Sequence, residues 1–332
     1  LKDRTRVRIH FGSANAAATL FFQGGHDLLA GQSALAQARF ESSVFLMVGD
    51  RFIVRDWSEQ ATLAGGLVLD PDGDRKRWQA KPRVALLEAR ASSPADVAVW
   101  LATQLERDHL LRRDALLKKA RCSDVEVAAA LGRLAQDGDV TVFNELAAHT
   151  AWWTDLVRRA AERIDLEHRA RPERVGLPLS ELAAALEDDL PLPGAFEVLV
   201  ADLARGEFRQ VGTVIQRRTH RPELPQRLKA AGAFVLQALA EKPLEPPSRK
   251  LLASDQPLQQ ALRFLLDTGQ AIEISADIVL SAEGYADAVA RIKEHLGRTG
   301  AATVSDLRQA VGSSRRIMVP LLEKLDRDGV TL

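Results

Sequence analysis

From Thr5 to about Val68 the apolar positions come in short alternating runs. In TRVRIHF, Val7, Ile9 and Phe11 fall on one side and Arg6, Arg8 and His10 on the other, the two-residue period of a half-buried strand. VFLMVGDRFIVRD predicts two strands joined by a turn at Gly49-Asp50, and GGLVLDP predicts a last strand ended by Pro71. Closely spaced short strands of this kind predict a small β-barrel or sandwich over residues 1–74.

After the charged, turn-rich linker DPDGDRKRW the period lengthens. Val84, Leu86 and Leu87, then Val97, Trp100, Leu101 and Leu105, recur at the spacing of amphipathic helices, with Ser93-Pro94 predicted as an N-cap and first-turn proline. Helices then dominate to the end, interrupted by a recurring figure: a helix end, a glycine and a few strand-like residues. It appears in LGRLAQDGDVTVF, VADLARGEFRQVGTVIQR, LRFLLDTGQAIEISADIVLS and LLEKLDRDGVTL, with Gly138, Gly206, Gly269 and Gly329 roughly 60–70 residues apart. Each glycine is predicted to close its helix in the left-handed conformation before a hairpin, with turns at Gly212 and at Ala276-Asp277 in the second and third copies. Helices followed by a terminal hairpin describe a winged helix, whose last helix before the wing faces nucleic acid.

The predicted fold class is therefore multidomain α+β: an N-terminal small β-barrel followed by four tandem winged-helix domains. They are placed at 75–150, 151–220, 221–281 and 282–332, the last with its wing truncated at Leu332.

In the closing stretch GSSRRIMVPLLEKLDRDGV, Ser313 and Ser314 are predicted to turn and cap a helix, one hydroxyl serving a free amide. Ile317, Met318, Leu321 and Leu325 share an arc directed to a core, while Arg316, Glu323 and Arg327 fall opposite, with Arg315 at the edge. Two cations in a first turn oppose the helix dipole, where stability alone favours Asp or Glu. A phosphate there would be held by amides, hydroxyls and guanidinium forks together. Pro320 predicts either a kink or a helix that starts near Val319.

Composition narrows the function classes. At 332 residues, with 46% hydrophobic and 27% charged, the chain has material for several folded cores. The 45 Lys and Arg balance 45 Asp and Glu, so a polyanion would be met by local patches. Residues 151–220, with 10 Lys/Arg against 12 Asp/Glu, and the neutral 221–280 are read as spacers.

The single cysteine, Cys122, excludes an internal disulfide and a Cys-based zinc site, and is read as a structural thiol in a reducing compartment. The chain opens on Leu1 rather than methionine, as a piece of a longer protein would. No apolar run approaches the ~20 residues of a membrane span. There is no G-x-x-x-x-G-K-[ST] loop and no metal-ligand spacing among the seven histidines, so no catalytic, cofactor or metal residue is assigned. Glu187, Asp188 and Asp189 are read as a solvated loop, and Trp152-Trp153 as an interdomain anchor.

Two end motifs carry a family resemblance. RVRIHFGSANAAATLFF, GDRFIVRD and TLAGGLVLDP resemble the barrel that bacterial selenocysteine-specific translation elongation factors, the SelB family, share with elongation factor Tu as its third domain. TVSDLRQAVGSSRRIMVPLLEKLDRDGVT resembles the family's last winged helix, and HRARPERVGLPLSELAAAL its second. The resemblance implies the C-terminal portion of such a factor, without the GTPase domain that would hold GTP and Mg, and hence no enzyme within this chain. It implies a cytoplasmic monomer, away from membranes, whose partners are an mRNA hairpin downstream of a UGA codon, selenocysteinyl-tRNA and the ribosome. Carried to matching positions, Ser313, Ser314, Arg315, Arg316 and Arg327 are the candidate mRNA-hairpin residues, and Arg6, Arg8 and His10 the weaker tRNA-facing ones. The alternative is a tandem winged-helix DNA-binding regulator or scaffold, for which the barrel motif has no use.

Overall fold

The computed structural model describes residues 1–190 and 192–330. It divides into two compact units, Leu1–Val157 and Arg158–Leu332.

In the first unit, β1 (Arg6–Phe11), β2 (Ala14–Phe22), β3 (Ala36–Phe40), β4 (Arg51–Arg55) and β5 (Thr62–Leu67) form one antiparallel sheet in the order β3-β2-β1-β4-β5. The alternation in the sequence becomes its two faces. Val7, Ile9, Ala18, Leu20, Phe22 and Val54 build the core, while Arg6, Arg8 and His10 lie on the other side. No described strand pairs β3 with β5, so the barrel is a half-barrel.

Two local expectations fail here. Residues 44–48 do not pair with β4. Val48 instead makes one parallel bridge to Ala120, its amide donating to Lys119 O (2.7 Å) and its carbonyl accepting from the Arg121 amide (2.9 Å). The last strand starts and ends earlier than expected, over Thr62–Leu67, and Gly66 within it leaves the room that the Phe52 ring occupies.

The chain continues through α1 (Lys81–Ser92), α2 (Val97–Asp108), β6 (Leu110–Arg112), α3 (Asp124–Asp137), β7 (Val140–Val142) and β8 (Leu146–His149). The three strands form a sheet in the order β6-β8-β7. Ser93 closes α1 rather than opening α2. The N-cap is Asp96, whose carboxylate accepts from the Ala98 amide at 2.8 Å, a stronger charge-assisted cap than Ser93 could provide. Cys122 is half-buried against the core of this module, and burial, then Glu126 and Asp124, raise its thiol pKa.

The barrel is bolted to this first helical module by carboxylates at its strand ends. Asp70, nearly buried, takes Arg83 at 2.5 Å and Arg107 at 2.8 Å, Asp72 takes Lys119 at 2.7 Å, and Asp50 takes Arg121. Beneath them Arg90 is buried and donates to Leu69 O, Trp100 O and the Thr103 hydroxyl; burial lowers its pKa to about 10.

The long α4 (Thr150–Ala170) begins in this unit. Trp153 is buried against Phe143 (4.5 Å between centroids) and Trp152 stacks on His109 (5.4 Å), so the paired tryptophans fix the start of α4 to the first module.

The second unit continues with β9 (Leu177–Pro178), α5 (Leu179–Ala185), α6 (Ala195–Arg205), β10 (Phe208–Val211) and β11 (Val214–Arg217), the strands ordered β10-β11-β9. Next come α7 (Gln226–Glu241), α8 (Arg249–Leu252), α9 (Gln256–Asp267), β12 (Ala271–Ser275) and β13 (Ile278–Ser281). The last helices are α10 (Ala282–Thr299), α11 (Val304–Val311) and α12 (Arg315–Arg327). Gly138, Gly269 and Gly329 have the expected positive φ. Gly206 does not, with φ −91° and ψ −129°. The fourth strand-like piece falls largely on Thr331 and Leu332, which lie outside the described residues.

The β12–β13 hairpin has two apolar faces. Ala271 and Val279 pack with Val235, Leu239, Leu262 and Leu265 of the third module. Ile274, Ile278 and Leu280 pack with Ile292, Leu307, Ile317, Met318, Leu321 and Leu325 of the fourth. The two modules thus share one hairpin as a common wall, so the wing of the third is not a free nucleic-acid reader.

Candidate nucleic-acid interface

Four helices, α3, α6, α9 and α12, stand at the recognition position of successive modules. Three are followed directly by described strands. Their first turns differ in charge: Asp124 and Glu126 in α3, Glu197 in α6 and no charge of either sign in α9. Only α12 begins with cations, Arg315 and Arg316, and it carries no acidic residue there.

Local chemistry explains where α12 starts. Gly312, at φ +75°, closes α11 in the left-handed region and turns the chain back. The Ile317 and Met318 amides then close onto Ser314 O at 3.2 and 3.0 Å, so the helix begins at Arg315 and runs through Pro320 without a delayed start. The expected late start near Val319 is therefore corrected. Four buried side chains, Ile317, Met318, Leu321 and Leu325, hold the helix to its core more firmly than one lost hydrogen bond loosens it.

The serines divide their work differently from expectation. Ser313 is buried and its hydroxyl donates to Leu244 O at 2.9 Å, a structural tie to the third module. Ser314 occupies the N-cap but makes no side-chain capping bond. Among the described residues the amides of Arg315 and Arg316 have no acceptor, and the Ser314 hydroxyl is uncommitted.

The two arginines are also unequal. Arg316 Nη2 donates to Pro246 O at 3.1 Å, and Nη1 lies 3.9 Å from Asp277 at the tip of the shared hairpin. Arg315 is exposed and has no partner among the described residues. Arg327 is not gathered to this corner. It lies twelve positions along the helix from Arg315, roughly 18 Å at 1.5 Å per residue, where a cation favours the C-terminal end of the dipole.

On the half-barrel the structure does assemble Arg6, Arg8 and His10, and it adds residues the sequence did not single out. Arg6 stacks over the half-exposed Trp57 at 3.8 Å and pairs with Glu41 at 2.7 Å; Arg8 lies 5.5 Å from the same ring. Glu59 meets Arg8 at 3.1 Å and His10 at 3.4 Å. The loop carrying Trp57 and Glu59 is held by Asp56, whose pKa is lowered by the Ser58 hydroxyl and the Ala61 amide. Glu59 itself adopts φ +58°, a position few non-glycine residues take. Register places Arg55 beside Arg8 on this face, and the Arg39 guanidinium covers Phe21 at 3.9 Å. Cations interleaved with aromatic rings suit a nucleic-acid surface better than charge alone. Alternation identified the cations; Glu59 and Trp57 reach them only through a loop that alternation does not describe.

A half-barrel sheet leading into tandem helix-and-hairpin modules, one with a basic and uncapped helix at the recognition position, defines a multidomain α+β protein built from a barrel-type sheet and winged-helix modules. Residues 1–75 match the family model of the selenocysteine-specific elongation factor beta-barrel domain, and residues 294–332 match that of the elongation factor SelB winged helix. The two ends of the chain are thus similar to domains of the selenocysteine-specific elongation factors. A selenocysteine-specific elongation factor from Desulfomicrobium baculatum is 24% identical over 342 positions, covering 100% of this chain and 54% of that protein. A crystal structure of a bacterial selenocysteine-specific elongation factor, EF-Sec, matches with a TM-score of 0.60 at 16% identity, over 100% of this chain and 50% of that one, a likeness of fold. The chain thus spans about half the length of the proteins it matches. Neither matched domain is a GTPase domain, and no described helix is long and apolar enough to cross a membrane.

Proposed function

We propose that this chain is the RNA-engaging portion of a selenocysteine-specific translation elongation factor, with no catalytic step of its own. The last winged helix binds an mRNA hairpin downstream of a UGA codon, and the half-barrel face around Arg6, Arg8 and His10 meets selenocysteinyl-tRNA during delivery to the ribosome. The observation that carries the reading is the first turn of α12, where two free amides, an uncommitted Ser314 hydroxyl and the unpaired Arg315 converge. An RNA loop offers close phosphates and splayed bases that a guanidinium can both pair with and stack on. Arg315 is the primary contact, and Arg316 reaches the RNA by exchanging its weak, exposed pair with Asp277.

The test is titration of the chain against an RNA hairpin taken from downstream of a selenocysteine UGA codon and against duplex DNA of equal length at matched salt. Preference for the hairpin is expected, and Arg315→Ala with Arg316→Ala is expected to lose about 1–3 kcal/mol of hairpin binding with the helix still folded. Equal affinity for both nucleic acids would favour a DNA-binding regulator. Unchanged hairpin binding in the double variant would leave both arginines as solvated charges.

A further inference from the structure

Beyond the hairpin contact, we infer that the second winged-helix module carries its own RNA-backbone binding surface at the C-terminal end of α4, built by Arg169, Arg171, Arg218 and Arg221 around a stacked pair of histidines. The net charge of 151–220 conceals it, because the fold sorts the charges. His168 and His220 stack with centroids 3.8 Å apart and planes 6° apart, His220 Nε2 bonds to Arg174 O at 2.8 Å, and the Glu223 amide donates to Pro172 O at 3.0 Å. Residues 168–174 and 217–221 are thereby fastened together. Between them they hold six arginines, two histidines and one acidic residue, the half-buried Glu173.

The carboxylates that reach this surface from other positions do not cover it. The nearly buried Glu167 accepts from Arg171 and Arg174, both at 3.1 Å, and lies 3.8 Å from Arg163, so one negative charge is shared among three guanidiniums. Arg174 also lies 4.0 Å from Glu181. Arg217 is consumed by Asp165, at 2.5 Å, and Glu207. Among the described residues Arg218 and Arg221 have no carboxylate partner, and Arg169 forms no salt bridge, the charge of Asp165 one turn before it being taken mainly by Arg217; all three arginines are exposed. Arg218 donates to Ala204 O (2.7 Å) and Gly206 O (3.0 Å) at the end of α6, and Arg221 to Arg218 O and His220 O, which fixes each side chain's direction.

A cation at the end of α4 or α6 is favourable for the fold, but fold stability does not call for Arg221 or for the crowding around Glu167. Every cation in the two stretches is arginine, the residue whose fork matches phosphate oxygens. Burial, then neighbouring His220, lowers the His168 pKa to about 4, so that ring is neutral at neutral pH and adds no repulsion of its own. The exposed apolar residue nearby on α4 is Leu166, one turn before Arg169, a single leucine at the margin of the basic surface rather than the apolar cluster a protein partner uses.

The experiment titrates the whole chain, unmodified and as R169Q/R221Q, against a labelled 20-base-pair RNA duplex with no loop, over about 50–200 mM KCl. Affinity is expected to fall roughly 3–10-fold near 100 mM KCl, with the slope of log K against log salt shallower by about 2. R169K/R221K is expected to keep the parent slope, and thermal unfolding reports whether each variant folds. The surface is refuted by unchanged affinity and slope in folded R169Q/R221Q, or by equal losses in the lysine and glutamine variants. It is also refuted if polyglutamate displaces the duplex more readily than unlabelled RNA of equal charge. Because the probe has no loop and the variants leave α12 intact, this outcome is separable from that of the hairpin titration.

Discussion

α3 and α12 hold corresponding places in the first and last helical modules, and both bury a leucine-rich arc. Their first turns are opposites. α3 opens with Ser123 and Glu126 in a reciprocal capping box and with Asp124 beside it, so dipole, amides and side chains are satisfied within the chain. α12 opens with a serine that caps nothing and two arginines that the dipole disfavours. The core sides are alike, so the difference lies in the helix ends: one is finished by its own residues, the other leaves its amides and Arg315 open.

The largest expected effect tests whether the cores really are alike. Leu321→Ala and Leu131→Ala should each cost about 2–5 kcal/mol in thermal or denaturant unfolding. Because Leu321 packs on the shared hairpin, its loss should lower the melting of the third module as well, whereas Leu131→Ala should leave that module alone. Melting of the third module unaffected by Leu321→Ala would break the shared-wall picture. Next in size, Ser123→Ala should cost about 1 kcal/mol, while Ser314→Ala should change stability by less than about 0.5 kcal/mol and show its effect in hairpin affinity instead. Equal destabilisation by the two substitutions would erase the contrast.

The smallest effect is in acid. The Ser123 amide and hydroxyl hold Glu126, and those of Thr303 hold Asp306, below the usual carboxylate range. A carboxylate with a depressed folded pKa stabilises above its unfolded value, and that contribution is lost as pH falls through the folded pKa. Amide exchange in the first turns of α3 and α11 should therefore quicken below the usual carboxylate range. The first turn of α12, which has no carboxylate, should show no such step.

Where periodicity has one partner surface, the sequence was readable: the two faces of β1, the buried arc of α12 and three of the four glycine helix ends follow from local residues. The half-barrel's missing strand at 44–48 was not, because its hydrogen bonds go to a loop more than seventy positions away. Arg315 and Arg316 read as equals in the sequence. Only the fold brings Pro246 O and Asp277 to one of them. Arg327 read as a neighbour because helical phase reports the side a residue faces and not how far along the axis it lies. Net charge in the second module adds up what the fold separates, so the clustering of arginines at 168–174 and 217–221 was not visible in it, while Glu59 and Trp57 reach the barrel arginines through a turn without a period.

The hairpin that serves two modules also sets the unit that can be exchanged. A splice made after Ser281 would hand one product a sheet with an uncovered oily face and leave the other with helices and nothing to lean on. Recombination, transplantation or independent drift of the last module is therefore constrained by its neighbour, and the pair must be inherited as one piece of architecture, with α12 free to vary only along its exposed side.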